Sequence, residues 1–229
     1  MEAEENFVLI SGLICETTRA KMLWNLLDGR AYTATELAVA ADTSASSASN
    51  HLSKLLEADL LKVETQGRHR YYSFARPEVA YAVESLANLA QKNAPEKLNK
   101  SATVANGIKQ CRTCYDHLAG FVAVKLVEAF EQKDLLRKTE TAYSVSDKGW
   151  QWFAYLEIFP GDFAGNRRPL TRQCLDWSER RPHLAGQLGA TFLEKALHRK
   201  WFEKIQFSRE LSVTSKGQQE IYKLLNITL

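Results

Sequence analysis

The tetrapeptide His-Leu-Ala-Gly occurs twice in this chain, at 117–120 and 183–186, an offset of 66 residues. A second landmark recurs in the same order. Tyr143-Ser144-Val145-Ser146-Asp147-Lys148-Gly149 matches Leu211-Ser212-Val213-Thr214-Ser215-Lys216-Gly217, 68 residues on. Upstream of each tetrapeptide, Cys111-Arg112-Thr113-Cys114 resembles Cys174-Leu175-Asp176-Trp177. Two landmarks repeated in order indicate one supersecondary unit used twice. Each copy reads as an amphipathic helix (Leu118–Phe130; Leu184–Leu197), an extended segment, a Lys-Gly turn and a closing helix (Trp150–Leu156; Gln218–Leu225). The expectation for residues 106–229 is an α+β domain built from an internal helix–strand–helix duplication, its copies paired with pseudo-symmetry.

Residues 1–92 are patterned differently. Ala20, Leu23, Trp24, Leu26 and Leu27 fall on one side of a helix over Glu16–Leu27, which Asp28-Gly29 ends. Tyr32–Ala41 reads as a short helix with Thr33 or Thr35 as N-cap, since a hydroxyl there satisfies a free backbone amide. Asp42-Thr43-Ser44 breaks the pattern, and a second helix follows from Ala45 to Ala58. Its Ala48, Leu52, Leu55 and Leu56 face inward, while Ser46, Ser49, Asn50 and Lys54 lie on other faces. Leu60–Thr65 and Arg68–Phe74 then make two strands around Gln66-Gly67, a hairpin with arginine at its tip. A helix from Pro77 to Ala90 follows, with proline suited to its first turn. The polar stretch 93–105 is read as a linker. The fold class expected is mainly α with small β-hairpins, an N-terminal winged helix-turn-helix domain (1–92) preceding the duplicated one.

Helix, short turn, helix and β-hairpin in that order suit double-stranded DNA. The second helix fits the major groove and shows small polar side chains to base edges, while a basic hairpin reaches phosphates or the minor groove. Asparagine pairs bidentately with adenine and serine adapts to either partner. The candidate DNA-binding residues are Ser44 just before the second helix, Ser46, Ser49, Asn50 and Lys54 on it, and Arg68, His69 and Arg70 on the hairpin.

Residues 7–90 resemble the ArsR/SmtB family of winged-helix repressors. The resemblance rests on Arg19 to Leu27, on Glu36-Leu37-Ala38, on Ser49-Asn50-His51-Leu52, and on Gly67-Arg68-His69-Arg70-Tyr71-Tyr72. It implies a homodimer joined by the first and last helices of this domain. Such a dimer binds an imperfect palindrome as a repressor and releases it on sensing an effector. It also implies that Ser46, Ser49 and Asn50 read bases and that Arg68 and Arg70 make wing contacts. Two departures stand out. Glu36-Leu37-Ala38-Val39-Ala40 lacks the Cys-x-Cys of the family's arsenic sensors, and Glu78 to Glu84 lacks the histidine of its zinc sensors. The C-terminal half is an addition that the resemblance does not cover.

That half holds the sharpest local pattern, Cys111-x-x-Cys114-x-x-His117. On a helix, Cys111 and Cys114 share a face, with His117 as a third ligand and Cys174 or His183 from the sister copy completing a tetrahedron. The same thiols suit a redox or electrophile switch, or simple packing as small apolar side chains. Trp177 in the second copy stands where the first has Cys114, which argues against a duplicated site unless the halves share one ion. Trp150, Trp152, Phe153, Tyr155, Phe159, Phe163, Trp177, Trp201 and Phe202 suit a small organic effector pocket or a core. Arg167, Arg168, Arg172, Arg180 and Arg181 suit an anionic ligand, flanking DNA or a solvated face. Cys15 is expected at a dimer seam.

Composition sets the remaining bounds. The 229 residues are 45% hydrophobic with 11 Gly and 5 Pro, which excludes a disordered or collagen-like chain. The acidic start, Met1 to Asn6, differs from a basic signal peptide, and no apolar run approaches the roughly 20 residues that span a bilayer. The expectation is a cytoplasmic protein with no membrane partner, whose four cysteines are reduced. Residues 1–92 carry 9 Lys+Arg against 12 Asp+Glu, and the remainder 21 against 15. Acidity in the first part lies outside the contact segment, because Ser44–Arg76 holds 5 basic against 3 acidic residues. No phosphate loop, Ser-His-Asp arrangement or His-Glu-x-x-His is present, so a regulator is expected rather than an enzyme. The alternatives are a winged-helix protein-interaction module and a thiol-redox protein using Cys111 and Cys114.

Overall fold

Capping side chains set the helix boundaries in the computed structural model, which describes residues 2–90, 107–206 and 208–229. The chain divides into two units, Met1–Leu89 and Ala90–Leu229. The polar stretch read as a linker, 93–105, lies outside the described residues.

The first unit begins with a helix that the sequence did not reveal, α1 (Glu2–Cys15). Its apolar residues Phe7, Val8 and Leu9 are consecutive and exposed, and only Ile14 is buried, so no core-facing stripe marks it. Cys15, at its end, is exposed in the single chain. Glu16 caps α2 (Thr17–Leu26) by accepting bonds from the Thr18 and Arg19 amides at 3.1 and 2.9 Å. Met22, Leu23, Leu26 and Leu27 are buried. A two-residue strand, β1 (Tyr32–Thr33), then leads into α3 (Ala34–Ala41). That strand is too short to show alternation in sequence, and Tyr32 is buried with its hydroxyl donating to Asp28.

Thr33, and not Thr35, caps α3. The Glu36 amide donates to Thr33 Oγ1 at 3.3 Å, and the Thr33 amide donates to Glu36 Oε2 at 2.8 Å, a reciprocal capping box. Thr33→Ala is expected to lower the stability of the first unit by about 1 kcal/mol, measured by urea unfolding monitored by far-ultraviolet circular dichroism. An unchanged midpoint would remove the cap's role.

The turn after α3 places Asp42 in the left-handed region at φ 53°, and Ser44 caps α4 (Ala45–Glu57) by accepting from the Ser47 amide at 3.1 Å. Strands β2 (Leu61–Gln66) and β3 (His69–Phe74) pair antiparallel with Gln66 opposite His69, and Gly67 supplies the positive φ of 59° in the two-residue turn. The sheet order is β1-β3-β2. Helix α5 (Pro77–Ala90) buries Val79, Ala80 and Val83.

The second unit repeats a hairpin–helix–hairpin–helix. The first copy is β4 (Arg112–Cys114), β5 (His117–Ala119), α6 (Phe121–Gln132), β6 (Leu136–Lys138), β7 (Tyr143–Val145) and α7 (Asp147–Ala154). The second is β8 (Arg172–Leu175), β9 (Pro182–Ala185), α8 (Gly186–His198), β10 (Phe202–Lys204), β11 (Leu211–Val213) and α9 (Ser215–Leu225). The helix–strand–helix reading is corrected in two places.

Each His-Leu-Ala ends a hairpin and does not open a helix. Gly120 and Gly186 sit at φ 88° and 85°, where a Cβ would lie 2.7 Å from the Lys109 carbonyl oxygen or 2.8 Å from that of Leu170. The helix starts at this corner, just after Gly120 in the first copy and with Gly186 itself in the second. Each Lys-Gly lies in the first turn of a helix and not in a turn before it. The Gly149 and Gly217 amides donate to the capping hydroxyls of Ser146 and Thr214, both at 2.9 Å.

The copies share one core, in which Val122, Leu126 and Phe130 of α6 and Leu188, Phe192 and Ala196 of α8 belong to a single buried cluster. Aromatic rings interlock within it: Phe130 meets Trp152 at 4.9 Å and Phe192 at 6.0 Å between centroids, and Trp152 meets Phe153 at 5.1 Å. The copies also exchange backbone bonds. The Thr113 amide of β4 donates to Arg209 O at 2.9 Å, and the Gln173 amide of β8 donates to Thr141 O at 3.0 Å. Each copy's first hairpin is thus held by the segment entering the other copy's last strand.

Among the described residues, no helix is long and apolar enough to cross a membrane.

Candidate nucleic-acid interface and metal centre

Burial divides α4 into two faces. Ala48, Leu52 and Leu55 are buried, while Ser46, Ser49, Asn50 and Lys54 are exposed. Two serines are engaged locally: Ser44 through its cap, and Ser49 by donating Oγ to Ala45 O at 3.0 Å. Arg68, His69 and Arg70 are all exposed at the hairpin tip, where Arg68 Nε lies 3.4 Å from His69 Nε2 and the Arg70 guanidinium sits 5.7 Å from the Tyr72 ring centroid. Of the other cations in this segment, Lys62 pairs with Glu64 at 2.7 Å and Arg76 pairs with Asp59. Among the described residues, the cationic side chains of this segment presented outward without an acidic partner are Lys54, Arg68 and Arg70.

His51, one residue beyond Asn50, does a different job. Its Nδ1 lies 3.2 Å from Arg19 Nη1 and 3.4 Å from Glu16 Oε2. Arg19 in turn donates to the Leu13 and Gly12 carbonyls at 2.6 and 3.0 Å. This network fastens the exposed helix to the α1–α2 junction. Burial works to raise the Glu16 carboxyl, but the two amides, His51 and Arg19 hold it below the usual range.

In the second unit, Cys114, His117, Cys174 and His183 converge, with one ligand atom from each lying within 4.8 Å of the others. Cys114 faces His117 across β4–β5, and Cys174 faces His183 across β8–β9. Each copy therefore supplies one cysteine and one histidine. The sulfurs are 3.8 Å apart, and the two Nε2 atoms are 3.1 Å apart. All four side chains are buried.

Cys111 does not join them. The chain is extended here, so residues three apart point to opposite sides. Cys111 enters the large core, and burial pushes its thiol up. The sharing of a helix face by Cys111 and Cys114, expected from their spacing, is thereby overturned.

Behind each histidine stands an aspartate. His117 Nδ1 lies 3.1 Å from Asp116 Oδ1, and His183 Nδ1 lies 3.4 Å from Asp176 Oδ2. Each aspartate is held by an arginine from elsewhere in the unit. Arg168 grips both oxygens of Asp116, at 2.5 and 3.2 Å. Arg112 donates to Asp176 Oδ2 at 2.9 Å, with both side chains fully buried. Asp176 also accepts from the Gly120 amide at 2.7 Å, the Ser178 amide at 2.9 Å, the Ser178 hydroxyl at 2.7 Å and the Glu179 amide at 3.1 Å. The Arg112 guanidinium stacks 4.2 Å from the Trp177 ring centroid.

Electrostatics follow this layout. Burial works to raise the Asp116 carboxyl, but His117 and Arg168 hold it below the usual range. Burial opposes charge on Asp176 too, and His183, Arg112 and the Gly120 amide hold it far below that range. The Cys114 hydrogen bond and His183 bring the Cys174 thiol well below its usual value against burial. Burial acts to lower His183, and Cys174 with Asp176 overcomes it, raising the imidazole to about 9.

Sequence reasoning missed these supports, although a signal for them exists. Arg112-Thr113-Cys114-Tyr115-Asp116 and Arg172-Gln173-Cys174-Leu175-Asp176 share Arg-x-Cys-x-Asp at an offset of 60 residues, against 66 for the His-Leu-Ala-Gly tetrads. Six extra residues in the second hairpin loop account for the difference. The counterpart of Cys174 is Cys114, not Cys111, and Trp177 belongs to the longer loop.

The remaining residues singled out in this half disperse. Tyr155 and Phe159 are exposed, and most of the other aromatics pack in or against the core. A cavity of about 260 Å³ is lined by Gln110, Ile205, Glu210, Ser212 and Gln218 among others, and by none of the aromatics. Arg181 pairs with Glu128, and Arg167 and Arg180 are exposed.

Known proteins resemble this chain over its helix-turn-helix region and, in one case, over nearly its whole length. A family model described as a helix-turn-helix domain matches residues 16–64. The HTH-type transcriptional regulator YdfF of Bacillus subtilis (strain 168) is 38% identical over 224 residues, which cover 98% of this chain and 99% of that protein. Among solved structures, reduced HlyU from Vibrio cholerae N16961 is 24% identical at a TM-score of 0.36, covering 38% of this chain and 92% of its own. An ArsR family transcriptional regulator, RHA00566, is 27% identical at a TM-score of 0.31, covering 38% and 89%.

Proposed function

The chain belongs to the HTH-type transcriptional regulators, DNA-binding proteins with a winged helix-turn-helix, and from this premise we propose that it is a homodimeric repressor of a palindromic operator, with the second unit sensing the effector. The observation that carries the DNA-reading assignment is the outward display of Ser46, Ser49, Asn50 and Lys54 on a helix anchored by Ala48, Leu52 and Leu55, beside a wing tip of Arg68, His69 and Arg70. Small polar groups on a helix read base edges in the major groove, and long cations on a hairpin hold the backbone. Few cations face outward, so non-specific affinity is modest and specificity rests on a small set of contacts.

Dimerisation is supported by apolar residues that the single chain leaves exposed on the helices at either end of the first unit. Phe7, Val8 and Leu9 lie on α1, and Leu86 and Leu89 on α5. Exposed apolar clusters of this kind mark protein interfaces. A dimer of reading helices explains why the expected operator is an inverted repeat.

Gel shift against DNA upstream of the protein's own gene tests the reading. Asn50→Ala is expected to weaken specific binding by about 1–3 kcal/mol and to relax discrimination at one base position. Arg68→Ala is expected to weaken binding across all sequences and to flatten the salt dependence by about one unit of slope. A wild-type protein with no salt-sensitive, sequence-selective shift would overturn the assignment.

A further inference from the structure

We propose that Cys114, His117, Cys174 and His183 bind one Zn²⁺ ion in a closed tetrahedral site shared by the two repeats. The inference does not depend on the DNA reading, because its support and its test lie wholly within the second unit.

The donor set is the first argument. Two sulfurs and two imidazoles around one point suit a borderline-soft ion without geometric preference, and they match the Cys₂His₂ composition of structural zinc sites. Spacing is the second. A tetrahedral Zn²⁺ with metal–sulfur bonds of about 2.3 Å and metal–nitrogen bonds of about 2.0–2.1 Å holds its sulfurs about 3.8 Å apart and its nitrogens about 3.3 Å apart. The separations here are 3.8 and 3.1 Å. A disulfide would instead require about 2.05 Å between the sulfurs.

The supporting shell is the third argument. Each histidine turns Nδ1 to an aspartate, Asp116 or Asp176, and Nε2 to the shared centre. A carboxylate behind an imidazole fixes the ring and the tautomer that leaves Nε2 free to ligate. The hydrogen bond of His117 Nδ1 to Asp116 and the 3.4 Å approach of His183 Nδ1 to Asp176 both favour a proton on Nδ1, and with the protons there two Nε2 lone pairs meet at 3.1 Å in a buried space. Such an arrangement is favourable only with a cation or a proton between them. Asp116 and Asp176 are therefore positioning residues, acting through the histidines, and Arg168 and Arg112 hold them in place.

Burial and ligand count identify the kind of site. Four protein donors leave no open coordination position for substrate, which is the mark of a structural or sensing site. The ion would join hairpins 60 residues apart in sequence and so tie one repeat to the other.

The test uses the full chain, purified under reducing conditions, stripped with a chelator and titrated with Zn²⁺ and, separately, Co²⁺. One equivalent of either metal per chain is expected, with Co²⁺ giving the intense visible bands of a tetrahedral ion and a near-ultraviolet thiolate-to-metal charge-transfer band. Cys114→Ser and Cys174→Ser should each abolish the tetrahedral spectrum, whereas Cys111→Ala should keep it. Asp116→Asn and Asp176→Asn should keep the stoichiometry while weakening affinity about 10- to 100-fold. The proposal is overturned if reduced, folded wild type binds less than a tenth of an equivalent. It is equally overturned if Co²⁺ gives only weak octahedral bands, if Cu⁺ binds and Zn²⁺ does not, or if Cys111→Ala removes the charge-transfer band. None of these readouts involves DNA, so a failed gel shift and a failed metal titration are separate results.

Discussion

Arg112→Met is expected to destabilise the second unit by about 3 kcal/mol, the lower end of the range for removing one partner of a buried ion pair. Arg112 and Asp176 are both fully buried, and their bond at 2.9 Å joins β4 to the loop following β8. Removing the guanidinium leaves a carboxylate out of water, where its charge is expensive. The Gly120, Ser178 and Glu179 donors still reach Asp176, which keeps the loss from the upper end of the range. Methionine fills space over Trp177 but cannot reproduce the stacked cation.

Asp176→Leu alone should be at least as harmful, because it strands Arg112. The double variant should lose less than the sum of the two single losses, since neither charge is then left unpaired. Tryptophan fluorescence isolates the relevant transition, because Trp150, Trp152, Trp177 and Trp201 lie in the second unit and Trp24 alone lies in the first. Urea unfolding in the presence of a chelator keeps metal affinity out of the comparison. A loss below 1 kcal/mol for Arg112→Met would show that the amide donors alone hold Asp176.

Gly149→Ala and Gly217→Ala are expected to be equally severe, about 3 kcal/mol each, at the top of the range for overpacking. Neither glycine is needed for a positive φ. The constraint is space: a Cβ at Gly149 would overlap the carbonyl oxygen of Leu135, and one at Gly217 that of Trp201. Backbone cannot move aside as a flexible side chain would. Each helix start would have to pull away from the hairpin entering it, breaking the caps at Ser146 and Thr214. Gly161→Ala provides the control, with nothing within 4 Å of its Cβ, and should stay within about 0.5 kcal/mol of wild type. Matching losses at Gly149 and Gly217, read by the same fluorescence assay, would also show that the two repeats are mechanically equivalent.

Much of the first unit was legible because its signals are local. Gly67 turns the wing, and the apolar spacing of Ala48, Leu52 and Leu55 places Asn50 outward, each a pattern contained within one turn or one helix. Helix α1 was missed because its apolar residues face away from the unit's own core. The choice between Thr33 and Thr35 was itself legible, because Glu36 stands three residues after Thr33 at capping-box spacing, a signal separate from apolar periodicity.

In the second unit the duplication was visible, but its internal register was not. Cys111 and Cys174 look like counterparts only while insertions are taken to fall outside motifs, and six extra residues lie inside the second hairpin, between Cys174 and His183. The Cys111-x-x-Cys114 spacing would join the two side chains on a helix, but the extended chain sends them apart. The donor set emerges only when both hairpins are paired, because Cys114 and Cys174 meet across 60 residues and His117 and His183 across 66.

The exchange of backbone bonds between the copies has a kinetic consequence. Arg209 donates to the Thr113 carbonyl across 96 positions, and Gln173 bonds Thr141 from the opposite direction. Loops of this length must close before either exchange rewards the chain, and such long-range pairing slows folding. Neither copy can complete its first hairpin's surroundings alone, so the halves should acquire structure together in one slow, concerted step. Until the segment that carries Arg209 has been synthesised, Cys111, Cys114 and Cys174 lack the full surroundings that bury them in the folded unit and stay open to oxidation.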